Sequence, residues 1–442
     1  MRDLSIYTFL FQEKGNYYLF NTETLAKAKI TLPLYENLSK GNFENIDAET
    51  VNVLEQKHII VNEEDKYNFY NQMEIDTNII NYDTSTLTLF LIPTIGCNLQ
   101  CPYCFEGNKP NLSMKEDTTN AIIEFINKSS AKKLSLHWYG GEPLTRFDLM
   151  QYIYNRICNE TNLKITEHTI ITNGYLIDDD VLSFFKQTNL NNIQITLDGK
   201  KELHNKKRFL KETKEGTFDK IIENIKKLNT FIPECNISVR VNIDKNNYTD
   251  FVDLYKYIHE TCEIKSSIYV YPAIIKAYDE NNLTLKNECL KNEDLFQVFD
   301  YYKKNGCSVE FFPKSHKHGC SACNVCTFTI GPNGEYYKCP EDANNPQNII
   351  GYINDDQIKN KKLVVEYINQ SSQFKRKNCR DCLCFPICSG GCGKDYLRII
   401  YKKYKINCCH PLKNKIILKK AFLEEINCKN KNKDKKYIID LF

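Results

Sequence analysis

The sequence predicts an α/β protein whose central unit is a partial, TIM-like (β/α)6 barrel, with a small winged-helix-like domain before it and a cysteine-rich domain after it. Two observations carry this prediction. From Thr86 onward, short β-rich apolar runs alternate with longer amphipathic stretches that suit helices. Beyond about residue 310 this alternation stops and the density of cysteines rises.

Residues 1–75 are expected to form the first domain. The apolar runs 6–11 and 17–20 flank the turn sequence Lys14-Gly15-Asn16, which predicts a β-hairpin. Two helical patterns and one strand-like apolar run follow, at residues 34–39, 48–55 and 58–61. A hairpin, helices and a strand-like ribbon together indicate a winged-helix-like domain. The polar segment 76–85 indicates a linker.

The central unit is expected to span residues 86–310. Its six strand-like runs are residues 86–95, 133–138, 168–171, 192–197, 237–243 and 267–274. Strands that alternate with helices imply a parallel sheet, and the chemistry of such barrels lies at the C-terminal ends of the strands. The unusual residues lie there: Cys97, Gly140-Gly141-Glu142, Thr172-Asn173-Gly174, Asp198-Gly199, and Arg240 with Asn242 late in the fifth run.

The third unit is expected at residues 311–415, where metal ligands rather than a large apolar core would organise the chain. A helical pattern over residues 414–426 is expected to pack back on this unit, so that residues 416–442 form a C-terminal helix and tail.

Composition limits the possible functions. The chain has 442 residues and a formal net charge of only +3, so it lacks the large positive charge that is typical of nucleic-acid-binding proteins. It has neither an export signal nor an apolar run of membrane-spanning length, so we expect a cytoplasmic protein without a membrane partner. In that compartment its 20 cysteines favour metal ligation over disulfides.

The loop Cys97-Asn98-Leu99-Gln100-Cys101-Pro102-Tyr103-Cys104 presents three thiolates, enough for three corners of a [4Fe-4S] cluster. The fourth iron would lack a protein ligand, and S-adenosylmethionine (SAM) can chelate an open iron through its amino and carboxylate groups. The alternative is structural zinc, which prefers four protein ligands, and no fourth cysteine lies nearby in sequence.

This loop resembles the signature of the radical SAM superfamily. The resemblance implies that Cys97, Cys101 and Cys104 are the cluster ligands and the catalytic residues. Four further segments resemble superfamily segments, in the same order after successive strands: Trp138-Tyr139-Gly140-Gly141-Glu142-Pro143, Thr172-Asn173-Gly174, residues 194–199 and Arg240-Val241-Asn242.

The resemblance implies a set of SAM contacts. Gly140, Gly141 and Glu142 would receive the SAM amino group, and Arg240 would pair with its carboxylate. Thr172, Asn173 and Asp198 would face the ribose and the reaction chamber. Tyr103 would pack against adenine.

The third unit resembles the SPASM domain, which carries auxiliary clusters in many radical SAM enzymes. The resemblance rests on Cys-x2-Cys-x5-Cys-x3-Cys over residues 379–392, on the Gly334–Cys339 segment after Cys320 and Cys326, and on the pair Cys408-Cys409. It implies two auxiliary [4Fe-4S] clusters. The first would use Cys320, Cys326, Cys339 and Cys392; the second would use Cys379, Cys382, Cys388 and either Cys408 or Cys409, with Cys408 taken here.

Some points stay open at this stage. Cys323 and Cys384 are extra thiols, and Cys323 could replace a neighbour in the first auxiliary site. Zinc would also suit a Cys-x2-Cys pair. Glu341, Asp342 and Asp198 are candidate general bases by position only, and a solvated surface carboxylate is the expected state of Glu341 and Asp342.

The resemblance implies an enzyme that cleaves SAM reductively and abstracts hydrogen from an inert carbon. Its members include maturases that crosslink ribosomally made peptides and anaerobic sulfatase maturases. The first domain resembles a leader-recognition domain that captures a precursor peptide by β-augmentation, and Pro340 follows Cys339 where sulfatase maturases usually carry Asp. Both features favour a peptide maturase, reduced by a flavodoxin or ferredoxin; a sulfatase maturase and a non-catalytic binding scaffold are the alternatives. A thioether crosslink is the product taken here, while a carbon-carbon crosslink and epimerisation stay open.

Overall fold

The structure is a computed structural model, and it describes residues 1–104, 110–262, 268–276, 287–309, 320–355, 358–388, 390–402 and 408–430. The start of the sixth expected strand at residue 267 and the expected boundary at residues 310 and 311 lie outside these ranges, as does the tail after residue 430.

The first 62 residues form two small sheets with two helices between them. Strands β2 and β3 make the expected hairpin, with Lys14 and Gly15 at its turn in the left-handed region at φ 47° and 75°. The bounds are β1 Arg2–Leu4, β2 Thr8–Glu13, β3 Asn16–Asn21, β4 Lys27–Ile30, α1 Leu32–Lys40, α2 Ala48–Gln56 and β5 Ile60–Asn62. The sheets are ordered β2-β3-β4 and β1-β5, with all pairs antiparallel.

The expected linker is mainly helical. Helix α3, Asn68–Asn81, runs through the first part of the segment 76–85, and only its last few residues precede the barrel as an irregular connection. The helix buries Tyr70, Met73 and Thr77 on one face, so tertiary contacts stabilise a segment whose polar sequence alone suggests a coil.

The central unit has the predicted six parallel strands, in the order β11-β10-β9-β8-β7-β6. The strands are β6 Thr86–Leu91, β7 Lys133–Trp138, β8 Lys164–Thr172, β9 Asn192–Leu197, β10 Asn236–Ile243 and β11 Tyr269–Ile274. The helices between them are α4 Glu116–Lys128, α5 Phe147–Glu160, α6 Asp179–Gln187, α7 Lys201–Lys207, α8 Phe218–Phe231 and α9 Asp250–Lys256. Alternate strand residues such as Leu87, Leu89 and Leu91 pack against these helices in one apolar core.

The barrel sheet continues into the cysteine-rich unit, which the sequence did not predict. Strand β12, Thr327–Ile330, pairs in parallel with β6 and is followed by the antiparallel strands β13, Glu335–Tyr337, and β14, Gly351–Tyr352. The result is one nine-stranded sheet. Short strands of three or four residues carry too little hydrophobic periodicity to be recognised in sequence.

The remaining helices are α10 Asn292–Lys304, α11 Lys361–Val365, α12 Phe385–Cys388, α13 Gly393–Lys402 and α14 Lys415–Asn430. Helix α14 packs back on the cysteine-rich unit, as expected, and also on the N-terminal hairpin, where Phe422 contacts Phe11 and Phe20. The C-terminal helix therefore joins the first domain to the last. In the part of the chain that is described, no helix is both long and apolar enough to cross a membrane.

Candidate functional site

The predicted site residues gather at the C-terminal edge of the parallel sheet. The loop with Cys97 follows β6, Gly140 follows β7, Thr172 ends β8 and Asp198 directly follows β9. Because the strands are parallel and in register, these positions meet at one edge. The fold therefore places together what the sequence indicates one residue at a time.

The cysteine loop is anchored by the segment that follows α7. The backbone N–H of Gln100 donates to the Phe209 carbonyl at 3.0 Å, and that of Lys211 donates to the Asn98 carbonyl at 2.8 Å. The Leu99 N–H lies 3.4 Å from the Cys97 sulfur, in a geometry that favours a thiolate there. All three thiols of the loop are half-buried, so the loop presents them at the edge of the barrel rather than in its core.

No three His, Cys, Asp or Glu side chains of the described residues converge closely enough to hold a single metal ion. A [4Fe-4S] cluster takes its thiolates at separate irons, so this criterion does not describe its site. The surroundings fit the charge of such a cluster, because the Arg208 guanidinium lies within electrostatic range of Cys101.

Gly140 and Gly141 are required by a close approach of two loops. A Cβ on Gly140 would lie 2.5 Å from the Thr94 carbonyl oxygen, and one on Gly141 would lie 2.3 Å from the oxygens of Ile95 and Gly96. Gly140 also has φ +127°. These glycines press the segment after β7 onto the loop that leads to Cys97.

Glu142 is buried, and its carboxylate links the ends of β7 and β8. It accepts hydrogen bonds from the Thr172 hydroxyl at 2.7 Å, the Asn173 N–H at 2.7 Å and the Leu144 N–H at 3.1 Å. Burial raises the pKa of this carboxyl, although the donors act in the opposite direction. Glu142 therefore braces the site, and its contact with SAM stays a prediction.

Asn173 connects this bracing group to the cysteine loop. Its Nδ2 donates to Asn98 Oδ1 at 2.8 Å, and its Oδ1 accepts from the Tyr175 N–H at 2.9 Å. Thr172 and Asn173 thus have partners within the protein, and the contacts of these two residues with the ribose stay predictions.

Tyr103 lies in a network that includes a residue the sequence analysis missed. Its hydroxyl donates to Asp198 and accepts from Arg208 Nη1 at 2.9 Å and from Asn242 Nδ2 at 3.3 Å. Asp198 is fully buried, and burial raises the pKa of its carboxyl and that of the Tyr103 hydroxyl. The network fixes Tyr103 next to the cysteine loop, and its packing on adenine stays a prediction.

Arg208 is the missed residue. It is only 8% exposed, its Nε has no hydrogen-bond partner among the described residues, and no carboxylate of the described chain forms an ion pair with it. A buried guanidinium with a free donor is suited to bind a ligand carboxylate. The signal in the sequence is weak, because Arg208 lies ten residues after Asp198, beyond the segment that follows the strand.

Arg240 is placed differently from Arg208. It lies within β10, and its Nε donates to Asn242 Oδ1 at 3.0 Å, through which it is linked to the Tyr103 network. Its pairing with the SAM carboxylate stays a prediction, for which Arg208 is now a second candidate.

The interior face of the sheet is polar below this edge. The Ser135 hydroxyl lies 2.7 Å from His137 Nε2 and donates to Glu167 Oε2 at 2.6 Å, so His137 Nε2 carries the proton that faces Ser135. The His137 ring stacks on Phe90, its partner in the register of β6 and β7. Burial lowers the pKa of His137, which keeps a neutral imidazole in the barrel.

The second predicted auxiliary site is a cavity of about 470 Å³. Six of the residues that line it are cysteines: Cys379, Cys382, Cys384, Cys388, Cys408 and Cys409. Gly391 has φ +72°, and a Cβ there would lie 2.0 Å from the Cys408 carbonyl oxygen, so this glycine lets residues 408–409 approach the Cys388 turn. The cavity has the donors and the size that a cluster needs.

The thiols in this cavity are not equivalent. Cys409 lies within electrostatic range of Cys379 and Cys388, and Lys413 Nζ donates to its sulfur at 3.6 Å. Cys384 is buried and its thiol donates to the Leu412 carbonyl at 3.2 Å, which is the environment of a structural cysteine.

The first predicted auxiliary site also has its thiols in one region. Cys320 and Cys323 are hydrogen-bonded to each other, which lowers the pKa of Cys323 to about 7. Cys339 and Cys392 both lie within electrostatic range of Tyr367. The extra thiol Cys323 is buried, with its sulfur 3.3 Å from the Ser371 hydroxyl.

The candidate bases have different surroundings. Asp342 was expected on the surface but is fully buried, where it forms an ion pair with Lys394 at 2.9 Å and accepts hydrogen bonds from Asn348 and Tyr367. Glu341 remains largely exposed. Asp342 is therefore a structural carboxylate, because the short helix over Pro340–Asp342 turns its side chain inward.

Comparison with known proteins gives a family for the central part of the chain. The sequence profile described as "Radical SAM superfamily" matches residues 91–258. A cysteine-type anaerobic sulfatase-maturating enzyme of Clostridium novyi is 27% identical over 344 residues, which cover 70% of this chain and 88% of that protein. The radical SAM cyclopropyl synthase TigE of Paramaledivibacter caminithermalis is 24% identical over 413 residues, which cover 86% of this chain and 82% of that protein.

Two solved structures have a similar fold. The enzyme anSMEcpe with bound AdoMet and Cp18Cys peptide has a TM-score of 0.58 at 22% identity and covers 79% of this chain and 100% of its own. Streptococcus suis SuiB bound to S-adenosylmethionine has a TM-score of 0.51 at 18% identity and covers 92% of this chain and 97% of its own.

The motifs, their placement at one sheet edge and these comparisons agree. The expectation of an enzyme is confirmed, and the alternative of a non-catalytic scaffold is excluded. The cofactors are SAM and [4Fe-4S] clusters, and the cysteine-rich C-terminal unit fits the auxiliary ones. Residues 91–258 are a radical SAM domain, and the chain is a radical SAM enzyme similar in sequence to anaerobic sulfatase-maturating enzymes and to the cyclopropyl synthase TigE.

Proposed function

We propose that this enzyme is a radical SAM/SPASM peptide maturase that forms thioether crosslinks in a ribosomally made precursor peptide. The observation that carries the proposal is the N-terminal domain, which offers a strand edge for a peptide and docks on the loop of the second auxiliary site. TigE, whose similarity extends over 86% of the chain, supports a function that uses this part as well as the barrel.

In this proposal the barrel residues have separate roles in binding the cluster, binding SAM and positioning the strand ends. Cys97, Cys101 and Cys104 would hold the SAM-binding cluster, whose chemistry when bound would be the one-electron reductive cleavage of SAM. Arg208 or Arg240 holds the SAM carboxylate, Tyr103 shapes the adenine side, and Glu142 keeps the ends of β7 and β8 in place. The auxiliary clusters, if held by the proposed cysteines, would provide an acceptor for the electron that the substrate loses, and the thiol proton would leave to solvent or a base.

The test uses the short cysteine-rich reading frame expected beside this gene. Co-expression with the chain should give a peptide that has lost two hydrogen atoms and one alkylatable thiol per thioether link, with formation of 5′-deoxyadenosine. A Cys97, Cys101 and Cys104 to Ala variant should abolish both products and lose about one third of roughly twelve irons. Conversion of an unlinked cysteine to formylglycine would overturn the thioether proposal.

We place the leader on the outer edge of β4. Strand β4 pairs only with β3 among the described residues, whereas the other edge strand, β2, is approached by Lys419, whose Nζ donates to the Gln12 carbonyl at 2.9 Å. An added strand would gain main-chain hydrogen bonds at β4. Amide hydrogen exchange should slow in residues 27–30 when the precursor is added and stay unchanged in β2. Protection of β2 alone would overturn this placement.

For the second auxiliary site we propose Cys379, Cys382, Cys388 and Cys409 as ligands, with Cys409 in place of the expected Cys408. Cys409 interacts electrostatically with the Cys379 and Cys388 thiols, whereas the charges that act on Cys408 include those of Arg376 and Asp395. Cys409→Ala should lose about four irons, while Cys408→Ala should lose none. For the first site the proposed ligands remain Cys320, Cys326, Cys339 and Cys392, with Cys323 as the alternative.

A sulfatase maturase is the second candidate, because the anaerobic sulfatase-maturating enzyme of Clostridium novyi is 27% identical over 70% of this chain. Against it, Pro340 follows Cys339, and the nearest Asp, Asp342, is buried in its pair with Lys394. A sulfatase peptide assayed beside the precursor separates the two candidates, with a flavodoxin or ferredoxin as the expected reductant in both assays.

A further inference from the structure

We propose that Lys338 and Arg376 are the buried counter-charges of the two auxiliary clusters and raise their reduction potentials, with Lys338 acting on the first cluster only and Arg376 acting on both. The inference depends on the auxiliary clusters and not on which peptide is modified.

Lys338 is a lysine with no contact to solvent, being 0% exposed. Its Nζ donates to the carbonyl oxygens of Asn324 at 2.6 Å and Thr327 at 2.7 Å, and it lies 4.8 Å from the centre of the Phe328 ring. No carboxylate forms an ion pair with it among the residues that the structure describes. An ammonium group buried without an anion is strongly unfavourable, so an anion is expected beside it.

The groups that can supply this anion are thiolates. Cys320, Cys323 and Cys326 all lie within electrostatic range of the Lys338 ammonium. Two of its three protons are used by the carbonyls, which leaves one donor. A cluster held by four thiolates carries the net negative charge that this site requires.

Arg376 lies between the two auxiliary sites. It is 6% exposed, and its guanidinium donates to the carbonyls of Gly390 and Ser371 and stacks 4.1 Å from the centre of the Tyr396 ring. Its Nε has no hydrogen-bond partner, and it too has no carboxylate partner within the described ranges. A guanidinium stays protonated in proteins, so its charge is permanent.

The thiols around Arg376 belong to both sites. The Arg376 guanidinium interacts electrostatically with Cys379 and Cys408, which lie at the second site. It also interacts with Cys323, which lies at the first site. The thiols that interact electrostatically with Lys338 all lie at the first site. This difference predicts that the two cations act on different sets of clusters.

Two lysines close to the first auxiliary site are each paired with a carboxylate. Near Cys339 and Cys392, Lys394 pairs with Asp342 at 2.9 Å and Lys276 pairs with Asp395 at 2.8 Å. Lys338 and Arg376 differ from these two lysines, because among the described residues neither has a carboxylate partner, and both are almost fully buried.

The sign of the effect follows from charge alone. Reduction adds one electron to a cluster and forms or breaks no bond to these residues, so a nearby cation stabilises the reduced form. At an effective dielectric constant of about 20, a unit charge on the order of 10 Å away changes the reduction equilibrium by about tenfold, or ~59 mV for a one-electron couple.

The experiment is an EPR-monitored redox titration of the full chain with Cys97, Cys101 and Cys104 changed to Ala, so that only the auxiliary clusters remain. Lys338→Met should lower one of the two potentials by about 59 mV and leave the other unchanged. Arg376→Gln should lower both. Lys361→Met, which removes an exposed lysine of the same domain, should change neither.

Conservative variants separate charge from structure. Lys338→Arg and Arg376→Lys should keep the wild-type potentials, because each keeps the charge. If Lys338→Met fails to hold its four irons, retention of iron by Lys338→Arg supports the proposal, since charge is then what the cluster needs. Unchanged potentials in fully loaded Lys338→Met and Arg376→Gln, or loss of iron from both Lys338 variants, would overturn it. Absence of auxiliary iron from the parent protein would instead overturn the cluster assignment.

Discussion

At the scale of single residues, the two arginines near the cysteine loop can be separated. Arg208 is buried, and its Nε has no hydrogen-bond partner in the described part of the chain, whereas Arg240 donates its Nε–H to Asn242. If Arg208 holds the SAM carboxylate, Arg208→Met should weaken SAM binding by about 1.5–3 kcal/mol, the usual worth of a hydrogen bond to a charged group. Equilibrium binding of SAM to the reconstituted protein measures this.

Arg240→Ala is the matched comparison. If Arg240→Ala loses as much SAM affinity as Arg208→Met, or more, then Arg240 and not Arg208 binds the SAM carboxylate, as the resemblance implies. Iron content should stay the same in both variants, because neither side chain is a cluster ligand.

Several residues show why a motif predicts position better than role. Glu142 was expected at the site because of its Gly-Gly-Glu-Pro context, yet its carboxylate is occupied by Thr172 and two backbone N–H groups. Arg208 stands in no motif of its own, since only the fold of residues 198–211 brings it to Tyr103. Partners of this kind are long-range contacts, which a single sequence does not encode locally.

A second residue prediction concerns the buried His168, which accepts a hydrogen bond from Trp138 Nε1 at 2.8 Å. Burial lowers its pKa to about 4, so the folded state favours the neutral ring. Stability from this residue is present above the unfolded pKa of about 6.5 and is lost as the pH falls. Between pH 7.5 and 5.5 the loss is about 1.4 kcal/mol.

Thermal unfolding under anaerobic conditions at the two pH values measures this loss. His168→Gln should be less stable than the wild type at pH 7.5 but should lose about 1.4 kcal/mol less on acidification. Equal losses in the two proteins would show that His168 does not titrate in this range.

At the scale of elements, helix α14 is the piece that joins the chain ends. Phe422 is fully buried against Phe11, Tyr18 and Phe20 of the hairpin. Phe422→Ala should therefore lower the free energy of unfolding by about 3–5 kcal/mol, because it leaves a cavity between the first and last domains. Thermal unfolding of the loaded protein tests this.

Ile416→Ala is the control on the same helix, because Ile416 is 66% exposed and should change stability little. If the two variants unfold alike, the contact between α14 and the hairpin does not contribute to stability.

The elements also show where sequence reasoning succeeds and where it stops. The six barrel strands are long, apolar and regularly spaced, so their existence and parallel order follow from periodicity. Strand β12 has only four residues, and nothing in them indicates a pairing with β6 about 240 residues earlier. The same holds for α3, whose buried face depends on the cysteine-rich unit and not on its own polar composition.

At the scale of the whole molecule, the N-terminal domain is tied to the second auxiliary site. The Thr22 hydroxyl donates to the Leu383 carbonyl at 2.5 Å, the Tyr67 hydroxyl to Asp381 at 2.8 Å and the Tyr70 hydroxyl to the Phe374 carbonyl at 3.1 Å. Tyr7, Tyr70 and Phe385 share one apolar cluster that Cys379 and Cys382 contact. The loop that carries these two cysteines therefore packs against the first domain on one side.

This contact changes what deletion of the first domain should do. A domain that only captured a leader could be removed without loss of cofactors, so that peptide processing and uncoupled SAM cleavage would simply separate. Because residues 379–385 pack on the domain, deletion of residues 1–81 should also cost the second auxiliary cluster, about four of roughly twelve irons. The SAM-binding cluster should survive, because its loop is held by residues 209–211 of the barrel.

The expected result is loss of processing, about one third less iron and retained reductive cleavage of SAM. Iron analysis and assay of 5′-deoxyadenosine on the truncated protein measure the last two together. Full iron content would show that the loop keeps its cluster without this contact, and loss of SAM cleavage would show that the first domain supports the barrel itself.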